Sequence, residues 1–192
     1  MTILVGLKDY KNQRVVLASD GLVTGNNGSI GSRKYRKWRR FGDVVIGVAG
    51  HFTIHMILDR EYETLFPQNV TAISFSEQLQ KEIKSLRIII QEEQDDPIGF
   101  DIGYVELKTG KFFHIDSYHD VLEQDFLCLG MADAATVLTS FLLGSNYLNV
   151  EDVARTVVKQ CCIHNVFCGG ELFLDSYSAD VSQSNISNLF SQ

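Results

Sequence analysis

Four residues with complementary chemistry stand near the ends of short apolar runs: a hydroxyl at Thr2, a carboxylate at Asp20, an ammonium at Lys37 and a glycine at position 50. Asp20 closes the run Arg14-Val15-Val16-Leu17-Ala18-Ser19, where an aspartate is either a strand-ending turn residue or a functional one. If a turn over 9–13 folds this run back on Thr2–Lys8, Thr2 lies directly opposite Asp20, on the same face and with Cβ atoms about 5 Å apart. The doublet Gly42-Asp43 suits a two-residue type II′ turn, and counting back from it sets Tyr35 opposite Gly50, with Lys37 at the same end. Gly50 opens a helical stretch, where free backbone N–H groups and the positive end of the helix dipole gather. A hydroxyl, a carboxylate and an ammonium converging on a helix N-terminus form a set suited to nucleophilic chemistry. Lys34 competes with Lys37 for the cationic place, because the intervening loop leaves the spacing open by a residue or two.

The elements that must hold these residues are legible in the apolar pattern. Strands are expected over Thr2–Lys8, Arg14–Asp20, Arg36–Phe41 and Val44–Ala49, with an exposed loop at 25–29. A helix follows over 51–64, and a second starts at the capping-box signature Ser74-Phe75-Ser76-Glu77. Phe100–Leu107 and Lys111–Asp116 read as a hairpin around Thr109-Gly110, and Asp125–Leu129 as a further strand. Helices over Ala132–Leu143 and Val150–His164, the latter capped by Asn149 with Asp152 at N3, precede a last strand, Glu171–Asp175. Strands in blocks rather than strict alternation imply antiparallel sheets with helices segregated onto their faces. The expected fold is α+β, a four-layer α-β-β-α sandwich of two antiparallel sheets in a single domain over 1–192.

Composition narrows the function. The 192 residues carry a net charge of −7, which argues against broad phosphate-backbone binding and so against a nucleic-acid partner. The basic cluster Arg33–Arg40 alternates along an expected strand and suits a solvated, interfacial or catalytic role better. No apolar run is long enough for a membrane helix, and the N-terminus lacks the basic region of a signal peptide, so the cytoplasm is the expected compartment. Cys128, Cys161, Cys162 and Cys168 form no CxxC pair and read as buried thiols. His51 and His55 lie one helical turn apart, but Phe52 breaks the zinc-protease HExxH pattern and no third ligand is evident, so a structural role is favoured. No phosphate-binding loop is present, and no metal or cofactor is expected.

The chain resembles the proteasome β subunits and the bacterial peptidase HslV, members of the N-terminal-nucleophile hydrolases. The resemblance is carried by Thr2-Ile3-Leu4-Val5-Gly6, Val15-Val16-Leu17-Ala18-Ser19-Asp20-Gly21, Arg36-Lys37-Trp38-Arg39-Arg40-Phe41 and Val45-Ile46-Gly47-Val48-Ala49-Gly50. It is strong over about the first 65 residues, and beyond them only chain length and element order agree. The resemblance implies that Thr2 is the nucleophile, exposed once Met1 is removed, with Asp20 and Lys37 as charged partners and Gly50 as the oxyanion donor. It further implies that Thr24 aligns substrate through its main chain, and that Tyr35 and Val48, with Phe52 nearby, line the pocket for the side chain preceding the cut. None of these three is acidic, so an apolar or aromatic side chain is expected there, although Lys34, Arg33 or Arg36 at the rim would favour an acidic one.

The departures from the family fall at the far end of the chain. Gly130-Met131-Ala132 stands where the family usually has Gly-Ser-Gly, and Asn165 with Cys168 stands where it has an aspartate and a serine. By resemblance the protein is a threonine peptidase acting on peptides or unfolded proteins inside a self-assembled ring, with a separate ATPase unfoldase as a possible partner. The alternatives are a catalytically silent scaffold of the same fold and an amidase acting on small molecules.

Overall fold

In the computed structural model, which describes residues 2–24, 29–66, 70–90, 99–145, 148–165 and 168–181, β1 (Ile3–Asp9) and β2 (Arg14–Asp20) form the first hairpin. Its register is one residue away from the expected one, with Leu4 facing Ser19 and Asp9 facing Arg14. The cause is Asp9. Its carboxylate accepts from the Asn12 side chain at 2.8 Å and pairs with Arg14 at 2.8 Å, so Asp9 joins the strand and only Tyr10–Gln13 turn. Thr2 is therefore not the residue beside Asp20; the backbone N–H of Ile3 is, donating to Asp20 Oδ1 at 2.9 Å.

The rest of the chain gives a mixed α/β protein with antiparallel sheets. The short ribbon β3 (Val23–Thr24) and β4 (Ile30–Ser32) follows, flanking a loop expected at 25–29 that lies, apart from Ser29, outside the described residues. β5 (Trp38–Phe41) and β6 (Val44–Gly50) pair around Gly42-Asp43, with Gly42 at φ +61°, as a type II′ turn requires at its first central residue. β5 starts two residues later than expected, which leaves Lys37 just ahead of the strand. The expected first helix splits into α1 (Phe52–Arg60) and the single turn α2 (Tyr62–Leu65). α3 (Ala72–Ile90) begins ahead of the expected capping box, because Thr71 and Ser74 cap each other reciprocally: Ser74 N–H donates to Thr71 Oγ1 and Thr71 N–H to Ser74 Oγ.

β7 (Phe100–Glu106), β8 (Lys111–Asp116) and β9 (Val121–Gln124) complete a five-stranded sheet in the order β5-β6-β7-β8-β9. β10 (Leu127–Gly130) crosses to the other sheet, whose order with the last strand β11 (Leu172–Ser178) is β10-β1-β2-β11. The strand expected at 125–129 is β10, beginning two residues later, and β9 is a strand the sequence pattern does not show. Between β10 and β11 run α4 (Ala132–Ser145) and α5 (Val150–Ile163), the latter capped as expected by Asn149, whose side chain accepts from Asp152 N–H at 2.9 Å.

Period-two alternation distributes the apolar side chains over three cores. Ile3, Val5, Val16 and Ala18 pack under Val153, Val157 and Cys161 of α5. Leu4 and Leu17, on the opposite face, join Trp38, Val45, Val105 and Phe112 of the five-stranded sheet. Ile46 and Val48 face the other way, onto Ile54, Leu58, Phe75 and Leu79 of α1 and α3. Trp38 locks the middle core: it is buried, its Nε1–H donates to the Ala18 carbonyl at 3.0 Å, and Gly47 and Gly103 leave room for its ring.

Candidate active site

Thr2 leads into β1, Asp20 ends β2, Lys37 leads into β5 and Gly50 ends β6, and the folding of the two hairpins brings these ends together. Lys37 Nζ donates to Thr2 Oγ1 at 2.8 Å and to Asp20 Oδ1 at 2.6 Å. The expected direct pairing of Thr2 with Asp20 is corrected here, since the lysine stands between them. Lys34 is exposed, which leaves Lys37 as the cation at the hydroxyl.

The pair is deeply buried, with the Lys37 and Asp20 side chains 2% and 1% exposed. Burial pulls the Lys37 pKa below its ordinary value, while the charge and hydrogen bond of Asp20 oppose that pull. Asp20 is itself fixed by backbone N–H groups of Ile3, of Leu22 at 3.3 Å and of Gly169 at 3.1 Å. Such a carboxylate is an anchor: removing one partner of a buried ion pair typically costs about 3–5 kcal/mol.

The backbone around the hydroxyl is held as tightly. Met131 N–H donates to the Thr2 carbonyl at 3.1 Å, and Gly130, at φ +84°, presses so close that a Cβ there would stand 1.9 Å from the Thr2 carbonyl oxygen. Gly50 has φ +116°, and a Cβ on it would lie 2.5 Å from the Gly99 oxygen, so both places demand glycine. α1 begins one residue after the expected start, with His51 as its N-cap accepting from Thr53 N–H.

These groups open into a cleft of about 490 Å³ whose lining includes Thr2, Thr24, Tyr35, Lys37, Gly50 and Phe52. Of the expected pocket residues, Thr24, Tyr35 and Phe52 are there. Val48 is not: alternation on β6 turns it to the α1 side, where it is 1% exposed among core residues. In its stead the wall contains His55, for which the sequence pattern favours a structural role. His55 is three residues from Phe52 and four from His51, so the shared helical face was a readable signal. Burial, reinforced by the charges of Arg39 and Lys37, pushes its pKa down to about 3, so the imidazole is neutral.

Neither Asn165 nor Cys168 is part of the cleft lining. The Asn165 carbonyl accepts from Cys168 N–H at 3.1 Å, and the next residue, Gly169, donates its N–H to Asp20. The Cys168 thiol is buried against Met131, its Sγ 3.6 Å from the Met131 Sδ, and burial together with the Asp20 charge pushes its pKa up to about 11. It is a neutral packing group, not a base. Among the described residues no cluster of three or more His, Cys, Asp or Glu is placed to hold a metal ion, and no helix is long and apolar enough to cross a membrane.

No protein-family model matches the sequence, and no curated protein does. Solved structures do match. Eukaryotic HslV from Trypanosoma brucei superimposes with a TM-score of 0.71 at 19% identity, over 91% of this chain and 98% of that one. Thiobacillus denitrificans BPH superimposes with a TM-score of 0.74 at 20% identity, over 95% of this chain and 100% of that one. The same protein in complex with Epoxomicin gives 0.71 at 20% identity, over 94% and 100%. At such identities the likeness speaks for the fold, and by it the chain has the proteasome/HslV-like fold of the N-terminal-nucleophile hydrolases.

Proposed function

We propose that the protein is a threonine peptidase whose nucleophile is Thr2 after removal of Met1. The observation that carries this reading is the bond from Lys37 Nζ to Thr2 Oγ1, made by a lysine that a buried aspartate also holds. A threonine hydroxyl is a weak nucleophile at neutral pH and needs an adjacent base. The α-amine exposed by loss of Met1 supplies one, with a reference pKa of roughly 8. It takes the Oγ1 proton as Oγ1 attacks the peptide carbonyl carbon, and the Lys37 ammonium stabilises the developing charge on Oγ1 and lowers the pKa of the amine. The Gly50 N–H meets the oxyanion, a contact typically worth about 3–4 kcal/mol. The C–N bond then breaks, the proton passes to the leaving amine, and an acyl ester remains on Thr2. Water activated by the same α-amine hydrolyses the ester and restores the hydroxyl.

Other features fit this reading. Three cores in succession support an α-β-β-α layering over the single domain. Exposed apolar residues on α4, Val137 and Phe141 among them, suit association of copies into a ring that encloses the sites and shields the cytoplasm from them. Unfolded protein is then the natural substrate, delivered by a separate ATPase unfoldase. The neutral residues Asn165 and Met131, in places where the family carries an acid and a serine, favour a silent scaffold as the second reading. Fluorogenic peptides with leucine, glutamate or arginine before the reporter, given to protein verified free of Met1, separate the two. Leucine is expected to be turned over fastest and arginine slowest, because Lys37 and Arg39 leave a basic side chain no partner; turnover of none supports the scaffold.

A further inference from the structure

We propose that His55 sets the substrate preference of the cleft, selecting an uncharged aromatic side chain that carries a hydroxyl, tyrosine over phenylalanine, in the position preceding the scissile bond. This rests on the peptidase reading of the site and names its substrate class. His55 lines the cleft that contains Thr2, yet it is only 5% exposed. Its Nδ1 is buried with no hydrogen-bond partner among the described residues, a costly state for a polar atom. Around it the wall is made of rings: the Tyr35 centroid lies 5.1 Å away, edge-on, and that of Phe52 5.6 Å away.

Three polar side chains close to His55 are already engaged. The Tyr35 hydroxyl accepts from Arg39, Arg39 pairs with Asp59, and Lys37 is held by Asp20 and Thr2. His55 Nδ1 is thus an unpaired polar atom at this wall that a guest can satisfy. A half-turn about its Cβ–Cγ bond exchanges Nδ1 with Cδ2 and leaves the ring outline unchanged, so the nitrogen can be presented without repacking. A phenolic hydroxyl donates and accepts, and so satisfies either tautomer of the imidazole. An apolar guest leaves the nitrogen unpaired, and an ammonium meets both the burial that chiefly keeps His55 neutral and the charges of Arg39 and Lys37 that reinforce it.

The test uses two uncleavable peptide alcohols of identical sequence, one ending in tyrosinol and the other in phenylalaninol, titrated calorimetrically into the intact protein free of Met1. The tyrosinol peptide is expected to bind about tenfold more tightly. The ratio is expected to fall to about one in His55→Phe and to persist in His55→Asn, whose amide keeps a polar atom near the Nδ1 position. Equal affinities in the wild type, a ratio unchanged in His55→Phe or lost in His55→Asn, or binding of neither peptide overturns the proposal. Should His55→Phe fail to fold, His55→Leu takes its place, with the same expected ratio of about one. Binding of these alcohols needs no catalysis, so a protein that selects tyrosinol but hydrolyses no peptide refutes the peptidase reading and leaves the pocket assignment standing.

Discussion

Thr2→Ala is expected to abolish peptide hydrolysis, lowering kcat by about 10⁴-fold or more, the scale on which enzymes lose activity with their nucleophile. Thr2→Ser is expected to retain activity, because it keeps both the hydroxyl that accepts from Lys37 and an α-amine once the start methionine is removed. The alanine protein is expected to melt close to the wild type, since the side chain surrenders only its bond to Lys37 while Asp20 keeps its three backbone donors. Initial rates on a fluorogenic peptide, with melting curves of both variants, check this. An active Thr2→Ala protein would remove Thr2 from the chemistry.

Gly130→Ala is expected to cost both stability and activity. A Cβ at residue 130 would stand 1.9 Å from the Thr2 carbonyl oxygen, a distance at which the backbone must move, and the φ of +84° adds strain of its own. A loss of roughly 3 kcal/mol or more follows from strain of this kind, which at this chain length is about 6–12 °C in Tm. The displaced partner is the residue that carries the nucleophile, so the rate should fall even where the protein stays folded. Gly144→Ala is the matching control, being an exposed helical position with nothing within 4 Å of the added carbon. It is expected to leave Tm unchanged or to raise it by a few degrees. Calorimetric melting of the two variants checks the contrast.

What the sequence disclosed about this site, and what it hid, divides by the range of the interaction. Lys37 could be separated from Lys34 by the block Arg36–Phe41, and the structure gives that block a physical reason: Trp38 fixes β5 against β2, which holds its neighbour Lys37 at Thr2. The Gly42-Asp43 turn and the Asn149 cap are local, and the sequence shows both. The first hairpin slipped by one residue because Asp9, polar and next to a turn, looks like part of the turn; only its bonds to Asn12 and Arg14 place it in the strand. The crossing of the chain between sheets at Asp125-Phe126 is invisible to periodicity, since strands of either sheet alternate alike. Val48 and His55 fail as a pair for a related reason. Alternation says that Val48 and Ile46 share a face, but which face meets the cleft depends on where α1 lies, and α1 is what turns Val48 inward and His55 toward the site.

The central claim, that Thr2 acts through a hydroxyl and an α-amine on one residue, is tested most directly by intact-mass spectrometry. The protein is incubated with a peptide epoxyketone, and its N-terminal fragment is then sequenced by tandem fragmentation. The account predicts that Met1 is absent, that a single inhibitor is attached, that the attachment maps to Thr2, and that Thr2→Ala takes up none. Protein from its native host with Met1 fully retained, or an adduct that maps to a cysteine while Thr2 stays free, would contradict it.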